Sequence, residues 1–118
     1  QLILALLLLA VTVMATGCDK RVSVSYNDNI DAMTTNCGRF AAAVRMAITA
    51  ESGLKVSRRG DGPADYHVSI RCRPGGRSTV DVVRVKGDAT SGYLRYDVPR
   101  LTKGTALKLV RQAKQDAM

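Results

Sequence analysis

Asp65-Tyr66-His67-Val68-Ser69-Ile70-Arg71-Cys72-Arg73 alternates apolar and polar side chains from Tyr66 to its end. That is the period of a strand with one face in a core and the other in water. Tyr66, Val68, Ile70 and Cys72 share one side, while His67, Ser69, Arg71 and Arg73 share the other. Pro74-Gly75-Gly76-Arg77 follows with hairpin chemistry, and residues 78–86 return as a strand rich in Val80, Val82, Val83 and Val85. The alternation slips at Val82-Val83, which predicts a bulge or burial of both faces there. Residues 87–91 read as a turn. Residues 93–98 read as the next strand, with Leu94, Tyr96 and Val98 on one side and Tyr93, Arg95 and Asp97 on the other. Pro99 ends it, so the three strands make a meander.

Upstream, Val22-Ser23-Val24-Ser25-Tyr26 also alternates, and Asn27-Asp28-Asn29 is a turn cluster. A helix is predicted over about 34–52. Phe40, Val44 and Ile48 recur every four residues, with Cys37, Ala41 and Ala47 beside them, and Arg39 and Arg45 lie off that stripe. Thr34, Thr35 or Asn36 is its expected cap, and Gly53 its closing residue. Residues 54–58 form a short strand and 59–63 a loop, where Arg59-Gly60-Asp61 is turn chemistry. A second helix starts near Leu101 or Thr102 and carries Ala106, Leu109, Val110, Ala113 and Ala117 on one stripe. The order is β-α-β-β-β-β-α. It predicts an α+β two-layer sandwich: a mostly antiparallel sheet of about five strands, two helices on one face, the other face open.

Before Asp19 there is no Lys, Arg, Asp or Glu, and residues 2–15 are almost wholly apolar. This run is short for a bilayer span, which needs about 20 apolar residues, and has the length of a signal-peptide core. The initiator Met and a basic start are missing, so Gln1 reads as the edge of a fragment. Ala15-Thr16-Gly17-Cys18 resembles the lipobox of bacterial lipoproteins, departing from it in having Ala15 where Leu is usual. The resemblance covers residues 1–18 only. It implies cleavage before Cys18, diacylglycerol on the Cys18 thiol, and a lipid-anchored protein of the bacterial cell envelope facing the periplasm. Asp19 is similar to the inner-membrane retention signal of enteric lipoproteins, which leaves the choice of membrane open. An ordinary signal cut near Ala15 or Gly17, and a permanent amino-terminal anchor, are the competing readings. The chain then divides into a signal peptide (1–17), an anchor and linker (18–21) and one α+β domain (22–118).

All 18 Lys and Arg and all 10 Asp and Glu follow residue 18, so the mature chain from Cys18 on carries the whole formal charge of +8. Such a balance attracts anionic partners, and it also serves solubility alone. Of the three Cys, Cys18 is assigned to lipid, which leaves Cys37 and Cys72 as a pair in an oxidising compartment. Two buried thiols are the competing reading. The prediction is a disulfide fastening the first helix to the sheet, worth roughly 3.5–4 kcal/mol on the chain-entropy model.

Recognisable catalytic chemistry is absent. His67 is the one histidine and sits on an outward strand position. No His, Cys, Asp and Glu spacing suits a metal, and no cofactor loop is present. The expectation is therefore a non-catalytic protein with no metal and no cofactor. Its candidate binding face is the open side of the sheet, with His67, Arg71, Arg73, Arg84, Tyr93 and Arg95, where paired Arg donors suit anions. The expected partner is an envelope protein or an anionic envelope polymer. The alternatives are a nucleic-acid-binding module, for example in DNA transfer, and an envelope hydrolase with an unrecognised carboxylate pair. Gly53-Leu54-Lys55-Val56 after the helix and Ala64-Asp65-Tyr66 opening a strand are similar to small envelope lipoprotein domains. Tyr93-Leu94-Arg95-Tyr96 resembles the small lipoproteins of conjugative transfer systems. Neither resemblance assigns site residues.

Overall fold

β1 (Lys20–Tyr26) enters the fold directly behind the apolar run, and α1 (Asp31–Ala50) returns over it. There follow β2 (Leu54–Val56), β3 (Tyr66–Arg71), β4 (Ser78–Lys86), β5 (Ala89–Val98) and α2 (Lys103–Ala117). The structure, a computed structural model, describes residues 19–27, 31–58, 62–73, 78–86 and 89–118, with residues 31–35 in backbone only. The anticipated leader, Cys18, the hairpin tip at 74–77 and Arg59-Gly60-Asp61 lie outside the described residues.

The strands form one five-stranded sheet in the order β2-β1-β3-β4-β5. The expected meander is there: β3 pairs antiparallel with β4, and β4 with β5. β1 runs parallel to both of its neighbours, β2 and β3. α1 is the crossover that such parallel pairing needs. It carries the chain from the end of β1 back to the start of β2.

Both helices cover one face of the sheet. α1 contributes Cys37, Phe40, Ala41, Val44, Ala47 and Ile48 to the core, and α2 contributes Ala106, Leu109, Val110 and Ala113. The sheet meets them with Val22, Tyr66, Val68, Ile70, Val80, Val82 and Val98. With Phe40 the only large ring in the helix layer, the interface is filled by branched aliphatics and alanines, which lets helix and sheet approach closely. Cys37 and Cys72 are joined as expected, with 6.0 Å between their Cα atoms. The disulfide therefore closes the helix–sheet interface at the end where β1 and β3 finish.

The boundaries differ from expectation in instructive ways. α1 begins at Asp31, so Thr34, Thr35 and Asn36 lie within the helix and do not cap it. Their helix propensities are only mildly unfavourable, and docking of the helix outweighs them. At its other end the Glu51 N–H donates to the Ile48 carbonyl, and Gly53 turns the chain away at φ +79°. That left-handed conformation is why glycine closes this helix. β5 starts at Ala89, so residues 89–91, read as turn, are strand, with Ala89 and Thr90 paired to Lys86 and Val85. Val82 and Val83 pair in register with Leu94 and Tyr93, and the irregularity falls between Arg84 and Val85. It takes up a one-residue offset, after which Val85 and Lys86 pair with Thr90 and Ala89. α2 starts where the sequence placed it, with the Thr102 side-chain oxygen accepting the Thr105 N–H at 3.2 Å.

Candidate binding face

The uncovered side of the sheet is ordered by the register into rows, because directly opposed side chains project from the same face. Ser23, His67, Val83 and Tyr93 form one row. Ser25, Ser69, Asp81 and Arg95 form the next. Arg71, Thr79 and Asp97 form a third towards the end of β3. The fold thus brings His67, Arg71, Tyr93 and Arg95 together on one face, as read from alternation. Arg73 is exposed just beyond β3.

Arg84 does not join them. It pairs with Tyr66 and with Gly92, which places it on the helix side of the sheet, exposed at the sheet's end. A bulge at Val82-Val83, one of the two readings of that slip, would have reversed the alternation beyond it. The register holds through Val83, and Arg84 takes the opposite side. There it lines a hollow of about 450 Å³ with Asp19, Lys20, Asp65, Tyr66, Val85 and Lys86.

The sequence reading missed the centre of the face. Asp81 is only 6 % exposed although it lies on the uncovered side. Its neighbours cover it and satisfy it. Arg95 donates from Nε to Asp81 Oδ1 at 2.8 Å and from Nη2 to Oδ2 at 3.4 Å, and the Tyr93 hydroxyl donates to Oδ1 at 3.1 Å. The Arg95 guanidinium also lies 5.7 Å from the centre of the Tyr93 ring. The hydrogen bond from Arg95 holds the Asp81 carboxyl below its ordinary value; burial opposes this, and Tyr93 and the charge of Arg71 assist. The same contact raises Arg95 above its ordinary value. The signal was a carboxylate in the middle of a valine-rich strand, which needs a partner if the strand is buried.

Beside this cluster lies a band of small hydroxyls. Ser25 Oγ is 3.5 Å from Ser69 Oγ, and Ser23 Oγ is hydrogen-bonded to His67 Nδ1. A serine beside a histidine is half of a nucleophile arrangement, which also needs a group that orients the imidazole. Among the described residues no carboxylate bonds to His67. Nor does any group of three or more His, Cys, Asp and Glu among them suit a metal ion. No helix among the described residues is long and apolar enough to cross a membrane.

No family model matches this chain, and neither a curated protein nor a solved structure matches it.

Proposed function

We propose that this chain is a lipid-anchored protein of the bacterial cell envelope, non-catalytic, whose domain faces the periplasm and binds an anionic envelope polymer or an acidic partner protein. Residues 1–17 are its export signal and Cys18 bears the lipid. The observation that carries the binding half is a broad polar sheet face, free of helices among the described residues, with Arg71, Arg95 and Tyr93 in adjacent rows. Tyr93 is 56 % exposed and Arg95 51 % exposed in its side chain, so both reach a ligand while Asp81 fixes their positions. The anchoring half is supported by the charge-free leader and its small-residue triplet. One acyl chain holds a protein marginally, and several hold it stably, at about 0.8 kcal/mol per buried CH₂.

Membrane fractionation of the wild type and Cys18→Ala, with intact-mass analysis, tests the anchor. Lipid mass on the wild type and release of the variant are expected. Equal retention with no lipid mass overturns it. Pull-down from detergent-solubilised envelopes tests the binding, with Arg71→Gln/Tyr93→Ala as the comparison. A capture unchanged by that double variant removes the sheet face from the proposal.

A further inference from the structure

The cations of this domain are unevenly placed. β1 runs away from the anchor, and β3 runs beside it in the same direction. The finishing ends of β1 and β3, together with the start of α2, therefore form a pole opposite Asp19. Seven residues of β1 at about 3.3 Å each put the two ends roughly 20 Å apart. At that far pole Arg71 and Arg73 flank Cys72, Arg39 lies two residues beyond Cys37, and Arg100 and Lys103 lead into α2. Arg39 and Lys103 line one groove of about 330 Å³ with Leu101 and Thr102 between them, which brings the helix layer's cations to the same place. All five side chains are exposed. Among the described residues none of these five side chains makes a hydrogen bond or an ion pair. Asp97, opposite Thr79 in the row of Arg71, and Asp81, whose carboxyl feels the charge of Arg71, are the described carboxylates nearby. Asp28, Asp31 and Arg77 lie outside the described side chains.

The anchored end is built differently. Its cations are interleaved with Asp19, Glu51, Asp65 and Asp116. Both Arg111 and Lys114 approach Glu51 at 3.4 Å, and Lys20 donates to the Met118 carbonyl at 2.7 Å. A cation cluster with no ion pair among the described residues costs self-repulsion, and the first turn of α2 adds to that cost, since it has no acidic residue and its dipole already favours negative charge. The disulfide holds the cluster together regardless, tying the Arg71–Arg73 backbone to the helix that carries Arg39.

We infer that this pole, held away from the anchoring membrane, binds an extended phosphate-bearing polymer. This deepens the envelope-binding proposal and rests on it. Four of the five cations are arginines, whose forked donors match phosphate oxygens. They come from three separate segments of chain, so one small anion cannot meet them all and a linear polyanion can. A single-stranded nucleic acid is the less suitable occupant, because such sites stack several bases on aromatics. Tyr26 is the one exposed described aromatic at this pole, and its hydroxyl end already lies over Gly38.

The test titrates full-length chain, in detergent, with medium-length inorganic polyphosphate at several salt concentrations. Binding that weakens with salt is expected. Arg71→Gln/Arg73→Gln should weaken it about ten-fold and reduce the salt slope by roughly 0.7 for each phosphate no longer neutralised, as for single-stranded polyanions. Lys55→Gln/Lys86→Gln removes the same charge from the other end and should change affinity less than about two-fold. Equal losses in the two double variants, or no binding by the wild type, overturn the inference. Tighter, equally Arg71-dependent binding of a charge-matched oligothymidine overturns the choice of polymer in favour of nucleic acid. Cys18→Ala separates the two proposals: wild type and variant that partition alike between membrane and soluble fractions, while both still bind polyphosphate, refute the anchor alone.

Discussion

Arg95 and Asp81 face each other across β4 and β5, with Nε 2.8 Å from Oδ1, and they are unequally buried: the Arg95 side chain is 51 % exposed and that of Asp81 9 %. The pair is therefore asymmetric under mutation. Removing Arg95 strands a covered carboxylate on one remaining donor, Tyr93. Removing Asp81 leaves an arginine free to hydrate. Arg95→Ala should lower stability more than Asp81→Asn, since it leaves a covered carboxylate short of a donor whereas the exposed arginine rehydrates. Urea midpoints of the two variants check this; a larger loss in Asp81→Asn contradicts it.

The same pairing sets an acid limit. Asp81 is held below its ordinary value of 3.8 in the folded state, chiefly by Arg95. A depressed folded value means stability that is present above the unfolded value and lost as pH falls through the folded one. Denaturant midpoints for wild type and Asp81→Asn should thus converge below about pH 4, where an unfolded aspartate protonates. A gap between the two that persists unchanged down to pH 2 contradicts the assignment.

Tyr96 makes the opposite prediction at high pH. Burial, and then the hydrogen bond to Asp116 Oδ2 at 2.7 Å, push its hydroxyl from 10.0 to about 12. A raised folded value means stability complete below the unfolded value and lost as pH rises through the folded one, so the window is pH 10 to 12. Absorbance titration of phenolate should show a late component that disappears in Tyr96→Phe. Asp116→Asn should move that component down without removing it, because burial is the larger cause.

Cys37 and Cys72 close a loop of 35 positions. On the chain-entropy model the link contributes about 3.8 kcal/mol, an upper figure. Cys37→Ala/Cys72→Ala should lower stability by a few kcal/mol and loosen the far pole more than the sheet centre. Hydrogen exchange reads this directly: protection should fall first in the opening turns of α1 and at the end of β3. Thiol titration of the unfolded, unreduced wild type should find neither of these two sulfurs free.

Thr102 caps α2 through its side-chain oxygen and the Thr105 N–H at 3.2 Å. Thr102→Ala should cost about 1 kcal/mol, whereas Thr102→Asn should keep most of the cap. Thermal melts of the pair decide it, and equal losses would show that the hydroxyl contact with Thr105 matters more than the cap itself.

Residues 65–73 were enough to assign the two faces of β3, because a period of two leaves only one way to bury Tyr66, Val68, Ile70 and Cys72 together. The spacing of Phe40, Val44 and Ile48 likewise told which side of α1 meets the sheet, and from these two faces the Cys37–Cys72 link followed. What alternation cannot carry is the partner of each strand. The parallel pairing of β1 with both β2 and β3 places Ser23 beside His67 and Ser25 beside Ser69, forty-four residues apart in each case. No local pattern encodes that distance. Arg84 was misplaced for a related reason: a one-residue irregularity inverts every side chain beyond it, and its position depends on how β4 fits β5. Asp81 shows the same division. Its charge is visible in the sequence, but the arginine and tyrosine that let it be buried are brought to it only by the β4–β5 register. The concentration of arginines at the pole far from Asp19 exists only once helix ends and strand ends are gathered in space, since the chain itself spreads them from Arg39 to Arg100.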